Sequence, residues 1–270
     1  MPSKPDRLPP ELVEQILTKL GYSGPPSTDF TGLSGLYTAW CHKIPFDNIR
    51  KRIHLAKNGA RPLPGHDDVE FYRGWLRFGV GGTCWAGNAA LSALLGALGF
   101  SYARGTATML TDSTQPPNHG TVCVQCEGKN FLVDASMLHN TPLLLNQGQF
   151  SSIDHPAWGL TCSPLAQYWS IRWRPLHMQD GCICRIEGFS ATRNIFRQLN
   201  ETSRTNSPFN DSLYIRINAA GSVLGIADGM SITFSPSGKV VKKILSHESR
   251  RKLLIEKMGI SEEIVPKITG

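Results

Sequence analysis

Apolar residues recur at helical spacing near the start of the chain. Between Pro10 and Leu20, the positions Leu12, Val13, Ile16, Leu17 and Leu20 share one face, and Gly21 follows as a stop signal. A second helix is predicted from Asp29 to His42, with Phe30, Leu33, Leu36, Tyr37 and Trp40 at helical spacing and Pro45 barring its continuation. A third is predicted from Thr83 to Leu98, ending at Gly99, and Asn58–Asp68 reads as a Gly/Pro loop. The period then changes. Tyr102–Leu110 reads as a strand, and Thr121–Cys126, Glu127–Asn130 and Phe131–Asp134 read as strand, turn and strand of a hairpin. Short strands are expected at Tyr168–Arg174, Cys182–Glu187, Leu213–Ile217 and Met230–Phe234, with helices at Ser190–Asn200 and Ser246–Met258. The pattern is α+β: a helical front, an antiparallel β core and a mixed tail.

Composition narrows this little. The 270 residues are 40% hydrophobic and 18% charged, which suits a soluble globular protein with a core. The apolar run Ala89–Phe100 is broken by Ser92, Gly96 and Gly99 and is short for a membrane helix. With a polar tail at Met1–Arg7 and no signal-like segment, a cytoplasmic protein with no membrane association is expected. Seven cysteines, an odd number, argue against a disulfide framework. The net charge of +7 suits solubility or an acidic partner. The basic runs Arg50–Arg52, Lys242–Lys243 and Arg250–Lys252 are too short for a nucleic-acid stripe, so no nucleic acid is expected as partner.

Candidate chemistry centres on Gly81-Gly82-Thr83-Cys84-Trp85. Two glycines, an N-cap residue and then a cysteine place the thiol at a helix start, where unpaired N–H groups and the helix dipole favour a thiolate. His119 ends the polar loop Asp112–His119 and opens the predicted hairpin, while Asp134 closes its partner strand. With the turn centred between Gly128 and Lys129, His119 and Asp134 become neighbours at the hairpin mouth. A carboxylate on one ring nitrogen would orient the imidazole, and the other nitrogen would take the Cys84 proton. Each of the three has an ordinary structural explanation when considered alone.

These segments resemble the arylamine N-acetyltransferases. Ile44-Pro45-Phe46-Asp47-Asn48, Gly81–Trp85 with Asn88, His119–Val124 and Leu132-Val133-Asp134 stand in that family's order and approximate spacing, and Ser207-Pro208-Phe209 and Ala227-Asp228-Gly229 match more weakly. The resemblance implies a helical bundle (1–100), a β-barrel (101–188) and an α/β lid (189–270) around a cysteine-protease-like core. It implies ping-pong acyl transfer from a thioester to a small-molecule amine, with Cys84, His119 and Asp134 as catalytic residues. The chain departs from the family at Val80, where an Arg would partner the acid at Asp47. It departs again at Ala135–His139, where a glycine-rich loop would approach coenzyme A.

No bound cofactor is expected, and the cosubstrate is an acyl-CoA or acyl-carrier-protein thioester. The missing glycines, the bulk of Ser136-Met137-Leu138 and the +7 charge favour a larger acyl group on a carrier protein over acetyl-coenzyme A. Alternative readings are a carrier-protein-dependent amide synthase, a thiol hydrolase or amidase, and a binding module with a relict triad. Cys123 and Cys126 fall on opposite strand faces, and Cys182 and Cys184 have no His-containing cluster beside them, so no metal site is expected. His139 and His155 are expected in surface loops. Phe71, Trp75, Trp85, Trp158 and Trp173 are candidates for core or for an aromatic acceptor pocket.

Overall fold

The computed structural model describes residues 8–57, 59–109, 116–146, 148–165, 168–178 and 180–268. The expected tail Met1–Arg7, Asn58, Leu110 and residues Asp112–Gln115 of the loop before His119 lie outside them. Helices are α1 (Pro10–Leu20), α2 (Phe30–Lys43), α3 (Ile49–Ala56), α4 (Asp68–Phe78), α5 (Cys84–Ala97), α6 (Arg193–Thr202) and α7 (His247–Lys252). Strands are β1 (Phe46–Asp47), β2 (Ser101–Met109), β3 (His119–Cys126), β4 (Lys129–Val133), β5 (Leu143–Leu144), β6 (Ser151–Ile153), β7 (Leu160–Pro164), β8 (Trp169–Trp173), β9 (Cys182–Ala191), β10 (Ile215–Ala219), β11 (Ser222–Ala227), β12 (Met230–Phe234) and β13 (Val240–Ile244).

Local signals explain most boundaries. Gly21 ends α1 in the left-handed region at φ 98°, and the Asp29 side chain caps α2 by accepting from Gly32 N. Helix α6 begins three residues later than the pattern suggests, because the Thr192 hydroxyl accepts from Ile195 N and so fixes the cap there. The last helix changes winding: after α7, residues Leu253–Lys257 form a π turn. Helices α3 and α4 come in addition to those read from the apolar pattern.

Strands β5-β4-β3-β2-β9-β8-β7-β6 form an eight-stranded antiparallel sheet, and a second sheet runs β1-β10-β11-β12-β13. The first curls into a nearly closed barrel, and across its seam the Ser151 hydroxyl donates to the Leu144 carbonyl at 2.6 Å. Its interior is filled by Ala107, Leu132, Met137, Cys162, Ile171, Cys184 and Ile186. Sheet membership crosses the three expected segments, since β1 from the helical front edges the second sheet and β9 runs on to Ala191. Helix α5 is buried on every side from Cys84 to Leu95 and packs against α4, α6, β2 and β3. The nucleophile candidate thus rides on the central helix.

Candidate active site

Cys84 is the first residue of α5. Thr83 holds an extended N-cap conformation, but its hydroxyl makes no capping bond, so the expected side-chain cap is absent. The positive end of α5 can therefore serve a charge on the cysteine or its acyl group. A Cβ on Gly81 would lie 1.9 Å from the Pro45 carbonyl oxygen, so glycine is required where this segment runs against Pro45.

The hairpin of β3 and β4 carries the other two residues. Its turn lies between Glu127 and Gly128, with φ of 51° and 72°, rather than between Gly128 and Lys129. Moving the turn centre by one residue shifts the register by two, which keeps every side chain on its face. Continuing the register one step past Val122–Val133 sets Asp134 opposite Thr121, with His119 diagonal to it on the same face. His119 Nε2 and Asp134 Oδ2 are 2.8 Å apart, and both side chains are buried. The Cys84 side chain lies close enough to the imidazole to help raise its pKa. With Nε2 occupied, Nδ1 is the nitrogen left for sulfur. Cys84 Sγ lies 3.8 Å from the Asn118 carbonyl oxygen. The structure therefore brings together all three residues singled out in the sequence.

The electrostatics suit an acid–base pair. Burial pulls the His119 pKa down, but the Asp134 charge and hydrogen bond, aided by Cys84, outweigh it and hold the imidazole above its ordinary value. Burial pushes Asp134 up, and the His119 charge and hydrogen bond, with the Met137 N–H, outweigh that and hold it below the usual carboxylate range. The second carboxylate oxygen, Oδ1, accepts from Ser136 N at 2.8 Å and Met137 N at 3.0 Å.

Two further residues that position the site are plain only in three dimensions. Asn88, one turn after Cys84, donates to the Gly120 carbonyl at 2.6 Å and accepts from Ala135 N at 2.9 Å. It ties the helix of the nucleophile to β3 and to the segment that follows β4. Tyr37, read in the sequence as an apolar position of α2, donates its hydroxyl to the Asp134 carbonyl at 2.8 Å. The same oxygen accepts from Asp134 N at 3.1 Å and His139 N at 3.3 Å. The sequence signal was the phenol itself, because a buried tyrosine hydroxyl needs a partner. Tyr37→Phe is expected to lower stability by about 1–3 kcal/mol, since it strands buried backbone groups. Urea unfolding of the two proteins measures the loss.

Other candidates fall elsewhere. His139 is fully buried rather than on a surface loop; its Nδ1 bonds the Thr141 carbonyl, and burial lowers its pKa to about 4. Phe71, Trp75 and Trp85 are core. His155 stacks on Trp158 at 3.6 Å and, with Trp173, lines a barrel cleft that Cys84, His119 and Asp134 do not reach. Residues Ala135–His139 are all buried, with Leu138 at φ 50°, so this stretch offers no open backbone to a donor. All seven cysteines are free and buried. Among the described residues no cluster of three or more His, Cys, Asp or Glu side chains could hold a metal, and no helix is long and apolar enough to cross a membrane.

The family model for N-acetyltransferases matches residues 29–155. The whole chain has the fold of arylamine N-acetyltransferases. The enzyme from Salmonella typhimurium superposes with a TM-score of 0.77 at 17% identity, over 92% of this chain and 91% of that one. That from Mycobacterium marinum, solved in complex with CoA, gives 0.78 at 15% identity over 96% and 95%. That from Mycobacterium abscessus gives 0.77 at 16% identity over 95% and 93%. No curated protein matches by sequence. The segment 29–155 is thus similar to the N-acetyltransferases, and the whole chain shares the fold of the arylamine N-acetyltransferases.

Proposed function

We propose that the protein transfers an acyl group from a thioester to a small-molecule amine through an acyl-enzyme on Cys84. The observation that carries this is the buried His119–Asp134 contact beside a cysteine at the start of a central helix. Cys84 attacks the thioester carbonyl, and the oxyanion meets the first-turn N–H groups of α5. The departing thiol takes a proton from His119. An amine then attacks the Cys84 thioester, His119 Nδ1 accepts the amine proton, and the sulfur leaves as thiolate. Asp134 holds the ring throughout. In this reading residues 1–100 present the nucleophile, 101–188 the acid–base pair, and 189–270 the lid.

A CoA thioester is the donor we adopt, since a protein of the same fold was solved with CoA and nothing in the fold favours a carrier protein. The buried Ala135–His139 stretch supports a donor path that differs from a glycine-loop contact.

The test is mass spectrometry after incubation with acetyl-CoA, with an aryl thioester, and with a longer acyl group on a carrier protein. An acyl adduct on Cys84 discharged by an amine supports transfer. Discharge by water alone would make the protein a hydrolase, and the absence of any adduct would make the site a relict. Iodoacetamide at neutral pH is expected to label Cys84 before the other six cysteines. Burial pushes the Cys41 thiol up to about 12 and those of Cys123 and Cys162 up to about 11, and raises Cys126, Cys182 and Cys184 as well. Peptide mapping that finds another cysteine labelled first contradicts the assignment.

A further inference from the structure

Asp47 is a carboxylate in the protein interior, 1% exposed, and it takes no part in the acyl-transfer steps. Its two oxygens each accept a backbone N–H: Oδ1 from Ile49 at 2.9 Å and Oδ2 from Gly81 at 2.5 Å. Its own N–H donates to the Gly82 carbonyl at 3.2 Å, and Phe46 forms a parallel bridge with Gly82. These contacts grip the segment that runs directly into Thr83 and Cys84. Gly81 cannot retreat, because Pro45 closes its other side. Val80 is buried with Ile49 and Ile215, so no arginine from this segment reaches the acid.

We propose that Asp47 is a positioning residue for the nucleophile: its carboxylate sets the backbone of Gly81 and Gly82, and thereby the depth and angle at which α5 presents the Cys84 sulfur to His119. The proposal rests on the acyl-transfer reading of the site. A second observation supports a role beyond stability. Burial pushes the Asp47 pKa up to about 6, against the bonds from Ile49 and Gly81 and the charge of Arg50. The unfolded value is about 3.9, so the folded chain binds more protons between the two values and the ionised form costs stability above them. A charge kept in the interior at that cost is explained by what it holds in place.

The groups around Asp47 do not supply the same titration. From α3, Arg50 is ion-paired with Glu70, and Lys51 donates to the Ser203 carbonyl and hydroxyl at 2.8 and 2.9 Å. Lys51 lines the same small cleft as Asp47, and its pKa, lowered by burial to about 8, keeps it charged while Asp47 titrates. From β10 the residue opposite is the apolar Ile215. Asp68, raised by burial to about 7 and paired with Arg193, begins α4 and serves as a control.

The experiment follows iodoacetamide alkylation of Cys84 from about pH 5 to 8 in the wild type, Asp47→Asn and Asp68→Asn. Amine KM, acyl-transfer kcat and melting midpoint are measured alongside. Asparagine keeps the size but can accept only one of the two N–H bonds. Alkylation and kcat are expected to fall by ~10–100-fold, as for a displaced reacting group, with amine KM and melting midpoint near wild type. The wild-type rate should decline on acidification with a midpoint near 6, a limb absent in Asp47→Asn and kept in Asp68→Asn. An unchanged rate in Asp47→Asn, or no such limb in the wild type, overturns the positioning role alone. A wild-type Cys84 that does not react at all overturns the nucleophile, and the proposal with it. A loss of rate that only tracks a fall in melting midpoint marks Asp47 as structural and also overturns the proposal.

Discussion

Cys84→Ala is expected to abolish acyl transfer, with turnover falling by ~10⁶-fold, the scale seen when a nucleophile that acts as part of a unit is removed. No other described side chain can take its place. Among the cysteines, Cys84 is the one whose side chain acts on the His119 imidazole. The six others are buried, with thiols that burial raises. The alanine variant should fold normally, because Cys84 contributes only a small side chain to the core and alanine is a good helix former at this position. Two measurements check this. The acyl adduct should be absent by intact mass, and the melting midpoint should stay near that of the wild type. An adduct that persists on another residue would move the nucleophile away from position 84 and dissolve the proposed mechanism.

Asp134→Asn is expected to cost ~10⁴-fold in turnover while leaving the fold intact, by analogy with triads whose carboxylate is replaced by its amide. Geometry gives the reason. The Asn Oδ1 can still accept from Ser136 and Met137, so the local turn survives. Its Nδ2 would instead face His119 Nε2, 2.8 Å from the present oxygen. An amide N–H donates, so the ring would offer Nε2 as acceptor and carry its proton on Nδ1, the nitrogen needed to take protons beside sulfur. The charge that raises the His119 pKa also disappears, leaving burial, which lowers it. Ring-nitrogen NMR at pH 7 should therefore show an imidazolium in the wild type and a neutral imidazole in the variant.

Stability carries a matching signature. Asp134 is held below its unfolded value, so its contribution is present above about pH 4 and is lost as pH falls toward about 2. His119 is held above its unfolded value, so its share is full below about pH 6.5 and is lost as pH rises toward about 10. The variant should lack both slopes. Near-normal turnover in Asp134→Asn would reduce the residue to a strand cap.

Several elements were legible because their signals are local. Helix α1 runs from Pro10 to Leu20 as its apolar face and Gly21 predict, and β12 matches the expected Met230–Phe234. Helix α4 was not among the elements predicted, although it carries the same kind of signal. Asp67 caps it by accepting from Glu70 N, Phe71 and Trp75 are one turn apart, and Gly79 ends it at φ 73°. Helix α3 was far less readable, because Arg50, Lys51, Arg52 and His54 leave only scattered apolar positions. Lys51 shows why composition misleads there: within a basic run it is buried and bonded to Ser203, 152 residues away.

By itself the sequence determined the parts that depend on short-range chemistry. It placed a cysteine after two glycines at a helix start, put a histidine and an aspartate at the open end of one hairpin, and set the two-residue period that keeps them on one face. Only the tertiary structure decided how those parts meet. The barrel and second sheet join strands far apart in the chain, such as β1 with β10 and β2 with β9. Asn88 bridges Gly120 and Ala135, Tyr37 holds Asp134 from 97 residues away, and Asp47, which the sequence left without an arginine partner at Val80, grips Gly81 instead. The physical reason is that a buried hydrogen-bonding group must find a partner wherever packing brings one within reach. Which partner that is depends on how helices and sheets close over each other, and no local pattern of apolar and polar residues encodes it.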